Sequence, residues 1–128
     1  MRIAICDDNP QDIERIRGYT VRMIDYAIDY DFYTKPEELL KVCVERDQKP
    51  DMYILDIEMP GMDGLAVAKE IRTKDSKALL VFLTSYTKYM PDVFEVVTFD
   101  FISKPITEER LRLLFDKAET YLNMTNQN

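Results

Sequence analysis

The length, composition and charge of the chain exclude several classes of protein. Its 128 residues fit one compact domain, and the hydrophobic fraction of 46% excludes general disorder. The formal net charge of -7 repels phosphate backbones, so we expect no direct binding of nucleic acid. No apolar run approaches the roughly 20 residues that cross a bilayer, so we expect no contact with a membrane.

The types of reactive side chain in the sequence restrict further which catalytic and metal sites are possible. Histidine is absent, and the two cysteines, Cys6 and Cys43, stand far apart in apolar or helical patterns. Catalysis by Ser-His or Cys-His pairs and zinc sites are therefore excluded, and reduced, buried cysteines are favoured over a disulfide. Carboxylates follow the first apolar run too soon for a signal peptide, so we expect a cytoplasmic protein that uses carboxylates, hydroxyls and lysine.

Short apolar runs predict five β-strands, at residues 2–6, 28–33, 52–55, 78–83 and 98–102. The third and fourth runs are apolar throughout and the first is apolar after Arg2, as strands buried on both faces are. The second run alternates, with Asp29 and Asp31 between apolar residues, which indicates a half-solvated strand at a sheet edge.

Apolar residues at helical spacing predict helices between these strands. The first helix begins near Pro10, and its apolar pattern continues as far as Ala27. The second opens at residues 34–36, the third follows Gly64, and a short fourth helix begins near Pro91. The last carries a stripe of six apolar residues: Leu111, Leu114, Phe115, Ala118, Tyr121 and Leu122.

Five successive strand-helix units predict an α/β domain with a doubly wound parallel sheet. The edge pattern of the second strand favours the flavodoxin-like order 2-1-3-4-5. We assign residues 1–122 to this domain and residues 123–128 to a polar tail or the beginning of a linker.

Polar residues follow the carboxyl ends of the first, third, fourth and fifth predicted strands: Asp7, Asp8, Asp56, Thr84 and Lys104. Each alone has an ordinary explanation, such as a helix-capping turn, a strand-end hydroxyl or a solvated loop lysine. In a parallel sheet, however, these ends meet at one edge. Carboxylates held together favour Mg²⁺, and a metal-held carboxylate beside lysine and a hydroxyl suits phosphoryl transfer.

The same residues carry a family resemblance. Asp7 and Asp8, Asp56 within DIEMPGMDG, Thr84, and Lys104 before Pro105 together resemble the receiver domain of two-component response regulators, over residues 2–122. The segments FLTSYTKY and FDFISKP resemble most the receivers that precede LytTR-type DNA-binding domains.

The resemblance implies a role for each of these residues. Asp56 would accept a phosphoryl group from a sensor histidine kinase, and Thr84 and Lys104 would bind that group. Mg²⁺ would be held by four residues, namely Asp7, Asp8, Asp56 and the backbone carbonyl of Glu58.

The resemblance also implies how a signal leaves the site. Thr84 and Phe101 would form the switch, and Phe101 lacks the hydroxyl that a tyrosine would offer. Glu58 and Tyr86 would tune the loss of phosphate, which we expect them to slow by crowding. A homodimer would use the face formed by the fourth helix, fifth strand and fifth helix, and a DNA-binding output domain would control transcription.

Two other functions remain open from the sequence. One is a Mg²⁺-dependent aspartyl phosphatase of the haloacid dehalogenase type, although that class usually places an aspartate, where Glu58 stands, two residues after a nucleophile on the first strand. The other is an interaction module that needs no metal.

Overall fold

The computed structural model describes residues 1–45, 48–85 and 95–125. Five parallel strands form one sheet in the order β2-β1-β3-β4-β5, so the predicted flavodoxin-like order is confirmed. The strands are β1 (Arg2–Cys6), β2 (Asp29–Tyr33), β3 (Met52–Asp56), β4 (Leu79–Thr84) and β5 (Asp100–Ser103).

The described part of the chain contains four α-helices, of which three lie between strands and the fourth follows β5. They are α1 (Pro10–Thr20), α2 (Pro36–Leu40), α3 (Gly64–Lys74) and α4 (Glu108–Thr125), and a π-helical turn, Lys41–Glu45, continues α2. Helix α4 is the last helix that the sequence predicts, while the short helix predicted near Pro91 lies outside the described residues. No described helix is long and apolar enough to cross a membrane.

Alternate residues of the central strands pack into two separate cores, one on each face of the sheet. The core against α1 and α4 includes Ile3, Ile5, Ile54, Val81, Ile13, Ile16, Leu111, Leu114 and Phe115. The core against α2 and α3 includes Ala4, Cys6, Tyr53, Leu55, Phe82, Leu39, Val67, Ala68 and Ile71. This two-sided burial is why β3 and β4 are apolar almost without interruption.

The outer position of β2 also agrees with its sequence. Asp29 and Asp31 are exposed, while Tyr30 between them is half-buried. Among the strands that the structure describes, β2 pairs with β1 alone, and the alternating pattern therefore marks an edge strand.

The first helix is shorter than its apolar pattern predicts. Helix α1 ends at Thr20, and the following residues form successive tight turns, with Met23 N–H donating to the Thr20 carbonyl at 3.1 Å. Met23 is still buried, but Ile24 is 90% exposed. The prediction that the helix continues through Ala27 was therefore wrong. Turns after Thr20 place Met23 in the core without continuing the helix. At the other end of the chain, α4 continues to Thr125, and a linker from residue 123 stays a prediction.

Arg72, in the last turn of α3, joins that helix to the chain that leads into β5. Its guanidinium donates to the carbonyls of Val96 at 2.6 Å, Ala78 at 2.7 Å and Val97 at 2.9 Å. Val97 has a φ of 56°, in the left-handed region that β-branched residues rarely adopt. Arg72 thus holds a strained turn immediately before the last strand.

Candidate functional site

The carboxyl ends of the strands bring the polar residues together at one edge of the sheet. Backbone hydrogen bonds extend the ladders past the strand ends: Asp7 N–H donates to the Tyr33 carbonyl at 3.1 Å, and Lys104 N–H to the Thr84 carbonyl at 2.7 Å. Asp56 is the last residue of β3 and lies opposite Leu83. These bonds fix the main chain under each functional side chain.

Three carboxylates form the centre of the site. Oxygens of Asp7, Asp8 and Asp56 all lie within 4.8 Å of one another. Asp7 is 0% and Asp56 2% exposed, whereas Asp8 is exposed to solvent. Asp7 Oδ1 accepts a hydrogen bond from Asn9 N–H at 2.9 Å. The cluster is therefore buried on the protein side and open on the side of Asp8.

The environment of Asp56 disfavours its charged form. Burial, and next the charge of Asp7, raise the pKa of Asp56 from 3.8 to about 7. Lys104 and the N–H of Glu58, which donates to Asp56 Oδ1 at 3.1 Å, act in the opposite direction. Burial and the neighbouring carboxylate thus disfavour the ionised form of Asp56, and an added cation would favour it.

Lys104 provides positive charge to this cluster. Its Nζ lies 2.8 Å from Asp7 Oδ2, 2.9 Å from Asp12 Oδ2 and 3.4 Å from Asp56 Oδ2. Burial alone would lower the pKa of Lys104, but the hydrogen bonds to Asp7 and Asp12 and the charge of Asp56 raise it above its usual range. The ammonium therefore stays charged, and the Lys104–Pro105 peptide bond that follows is cis.

Asp12 is a member of the site that the sequence did not predict. It lies in the first turn of α1, where an acidic residue is ordinary because it favours the helix dipole. Its contact with Lys104 depends on how α1 lies over the sheet, and no local motif signals it.

Glu58 contacts the end of β4 through both of its carboxylate oxygens. Thr84 Oγ1 donates to Glu58 Oε1, and Ser85 Oγ donates to Glu58 Oε2 at 3.2 Å. Ser85 was not among the predicted residues, although it directly follows Thr84. The predicted metal ligand of Glu58 is its backbone carbonyl, so these side-chain contacts leave that prediction untouched.

The other two predicted residues have different outcomes. Phe101 lies on β5 beside Phe82 and is half-buried against the core that α2 and α3 form. Its side chain therefore packs against that core while part of it stays exposed. Tyr86 lies outside the described residues.

The loop after Asp56 approaches it closely. A Cβ atom at Gly64 would lie 2.2 Å from the backbone oxygen of Asp56, which no real side chain could tolerate. Gly61 has a φ of 83°, and Asp63 caps α3 by accepting from Ala66 N–H at 2.8 Å. The glycines of the DIEMPGMDG segment therefore serve a close backbone approach and a left-handed turn.

The resulting site is an open pocket of about 480 Å³. Its lining consists of Asp8, Asn9, Asp12, Asp56, Glu58, Ser85, Lys104 and Pro105. The carboxylates outnumber the single lysine in this lining, so the pocket favours a hard cation such as Mg²⁺. Ser85 and Lys104 in the same lining carry hydrogen-bond donors that could bind an anionic group beside that cation.

Comparison with known proteins agrees with this geometry. The profile described as "Response regulator receiver domain" matches residues 3–116. The sensory transduction protein LytT of Enterococcus faecalis is 36% identical over 118 residues, which cover 92% of this chain and 48% of that protein. The positive alginate biosynthesis regulatory protein of Pseudomonas aeruginosa is 30% identical over 118 residues, covering 92% of this chain and 47% of that protein.

These relatives and one solved structure define what the chain is similar to. The chain spans about half the length of both relatives, and LytT supports the resemblance to receivers of LytTR-type regulators. The crystal structure of the response regulator protein TrrA of Thermotoga maritima, in complex with Mg²⁺-BeF, is 32% identical. It superposes with a TM-score of 0.76 and covers 91% of this chain and 97% of that one.

Proposed function

Because the chain belongs to the family of response regulator receiver domains, we propose that it is a phosphorylation-dependent switch of a two-component system. Asp56 is the phosphoacceptor, and a sensor histidine kinase is the donor. The observation that carries this proposal is the Asp56 carboxylate, which ends a buried strand beside two further carboxylates and 3.4 Å from the Lys104 ammonium.

The transfer step uses Asp56 as a nucleophile. One carboxylate oxygen of Asp56 attacks the phosphorus of the kinase phosphohistidine, and a P–O bond forms as the P–N bond breaks. The imidazole nitrogen leaves with the bonding electron pair and takes up a proton. Lys104 Nζ, already close to Asp56 Oδ2, balances the charge of the phosphoryl oxygens as they arrive.

The donor set of the pocket fits Mg²⁺. The oxygens of Asp7, Asp8 and Asp56, with the backbone carbonyl of Glu58, would hold the ion. Asp7 Oδ2 is buried and lies 2.8 Å from Lys104 Nζ, its ion-pair partner. When bound, Mg²⁺ supplies charge that neutralises the phosphoryl oxygens. The Mg²⁺-BeF complex of TrrA supports this assignment by similarity.

The switch runs from the phosphoryl group to β5. Thr84 follows the phosphoryl group by hydrogen bonding to it, and Phe101 answers through packing, since it has no hydroxyl. Their placement on neighbouring strands β4 and β5 supports this route. Glu58 and Tyr86 tune the lifetime of the aspartyl phosphate, and crowding of the attacking water by Tyr86 would slow its loss.

The output partner is a DNA-binding domain that controls transcription from the cytoplasm. The regulators among the relatives support it, and each is about twice as long as this chain. Phosphorylation would favour a homodimer through α4, β5 and the predicted fourth helix. Leu113, Tyr121 and Met124 are exposed apolar residues of α4, which supports that face. Leu113→Asp should then prevent dimerisation in light scattering of the phosphorylated chain.

Acetyl phosphate with Mg²⁺ tests the function. We expect intact-mass spectrometry to detect the addition of one phosphoryl group, which hydroxylamine removes as expected for an acyl phosphate. Asp56→Asn should abolish the addition, and removal of Mg²⁺ by chelation should slow it strongly. Asp63→Asn is the matched control, because it removes a charge from the same loop while asparagine still caps α3.

Two results would contradict the proposal. Rapid multiple turnover of acetyl phosphate would favour a Mg²⁺-dependent aspartyl phosphatase. Failure of the folded wild-type chain to become labelled would favour an interaction module without a metal.

A further inference from the structure

The Glu58 carboxylate accepts hydrogen bonds from the donors at the end of β4. Thr84 Oγ1 donates to one carboxylate oxygen, and Ser85 donates to the other through Oγ at 3.2 Å and N–H at 3.4 Å. The register explains this contact, since Asp56 pairs with Leu83 and the two chains continue side by side. Glu58 thus reaches across from the loop after β3 to the residues that follow Leu83.

These donors lie beside the pocket in which a phosphoryl group on Asp56 would sit. Ser85 and Glu58 line that pocket together with Asp56. Thr84 is 0% exposed, so its hydroxyl has no access to bulk water. A hydroxyl has one hydrogen to donate, and Thr84 therefore cannot serve Glu58 and a phosphoryl oxygen at the same time.

We propose that Glu58 is a latch, a carboxylate that occupies the Thr84 and Ser85 donors until a phosphoryl group on Asp56 displaces it. This inference rests on the proposed function of Asp56. Glu58 is a positioning residue in this role, because it acts on the phosphoryl group through Thr84 and Ser85.

Charge gives the latch its direction. A phosphoryl group brings a charge of about -1.5 to -2, and like charges so close together repel. The Glu58 backbone is tied to Asp56 through the N–H bond to Oδ1 at 3.1 Å, so the side chain must move to relieve the repulsion. When Glu58 leaves, the donors of Thr84 and Ser85 become available to the phosphoryl group. The free energy of the hydrogen bonds that Glu58 loses is subtracted from the free energy of binding the phosphoryl group.

Beryllofluoride with saturating Mg²⁺ provides a non-covalent test, since it mimics the phosphoryl group without turnover. Titration calorimetry would give its dissociation constant for the wild type, Glu58→Ala and Glu58→Gln. We expect about thirtyfold tighter binding by Glu58→Ala, from two released hydrogen bonds of ordinary strength and a third, longer one. Glu58→Gln keeps one acceptor oxygen and should show a smaller gain, which provides a second variant of nearly the same shape.

A double-mutant cycle separates the latch from a general effect of charge. In a Thr84→Val background, Glu58→Ala should lose part of its gain, because the Thr84 hydroxyl is absent while the Ser85 donors would still be freed. Asp63→Asn removes a charge from the same loop without contacting Thr84, and we expect binding within about twofold of wild type.

The outcomes distinguish the latch from the proposed function. If the wild type binds beryllofluoride but Glu58→Ala binds equally or more weakly, the latch is overturned while the function stands. A gain that survives in full with Thr84→Val, or that Asp63→Asn reproduces, also overturns the latch. If the wild type does not bind, or Asp56→Asn binds as well as wild type, the proposed function fails and the latch fails with it.

Discussion

Replacing Asp56 with asparagine should make the metal-free domain more stable at neutral and alkaline pH. The substitution keeps the shape of the side chain and an oxygen that can accept from Glu58 N–H. It removes a carboxylate that is 2% exposed and adjoins the buried Asp7. The side chain at the centre of the site therefore opposes folding when it is charged.

The raised pKa sets the size of this effect. The pKa of this carboxyl is near 3.8 in the unfolded chain and near 7 in the folded one, so folding favours its protonated form. The stability that comes from the protonated side chain is fully present below pH 3.8 and is lost as the pH rises to 7. A difference of this size corresponds to about 4 kcal/mol at most. Between about pH 5 and 8, the advantage of Asp56→Asn should grow by about 2 to 3 kcal/mol.

Urea unfolding followed by circular dichroism would measure the effect at several pH values in the presence of a chelator. The two proteins should have the same denaturant slope, so the midpoints would report stability directly. Saturating Mg²⁺ should stabilise the wild type at about pH 8 by about 3 kcal/mol at a hundredfold excess over its dissociation constant, and should stabilise the variant much less.

A parallel pH dependence for wild type and Asp56→Asn would refute the reasoning, because it would mean that Asp56 titrates alike in both states. Asp63→Asn should follow the wild type at every pH, since Asp63 is exposed. A stabilisation of equal size by Asp63→Asn would point to overall charge as the cause.

Three further substitutions, one of them with a control variant, test contacts around the site and the sheet by the same unfolding measurement. Lys104→Met should cost about 3 to 5 kcal/mol at neutral pH, because it leaves buried carboxylates without their counter-charge; an unchanged midpoint would contradict this. Gly64→Ala should lower the free energy of unfolding by about 1 to 3 kcal/mol, since its Cβ would meet the Asp56 backbone at 2.2 Å. The control Gly18→Ala, whose Cβ would meet nothing within 4 Å, should stabilise the domain. Arg72→Met should cost about 2 kcal/mol or more through lost hydrogen bonds to carbonyls, and a neutral result would show that water replaces them.

The sheet could be predicted because each strand carries its own signal. The apolar run that ends at Asp7 indicates a strand and its carboxyl end together, and the alternation of Asp29 and Asp31 indicates the edge that fixes the strand order. The helix through Ala27 was a false prediction, since a turn can place Met23 in the core at nearly the position that a helix would.

The site could be predicted as far as strand ends determine it. Asp56 and Thr84 directly end strands, so their convergence follows from the topology alone. Asp12 and Ser85 could not be assigned in this way. The contact of Asp12 with Lys104 depends on the position of α1 over the sheet, and the role of Ser85 depends on the direction in which Glu58 points.

The anchoring of Val97 by Arg72 has a mechanical consequence. Within the described ranges, strand β5 has one hydrogen-bonded neighbour, β4, and the guanidinium provides a second support where the chain approaches the strand. That support comes from α3, which begins beside the backbone of Asp56 at Gly64. Helix α3 therefore links the backbone beside Asp56 to the chain that leads into β5, along a path separate from the strand ladder.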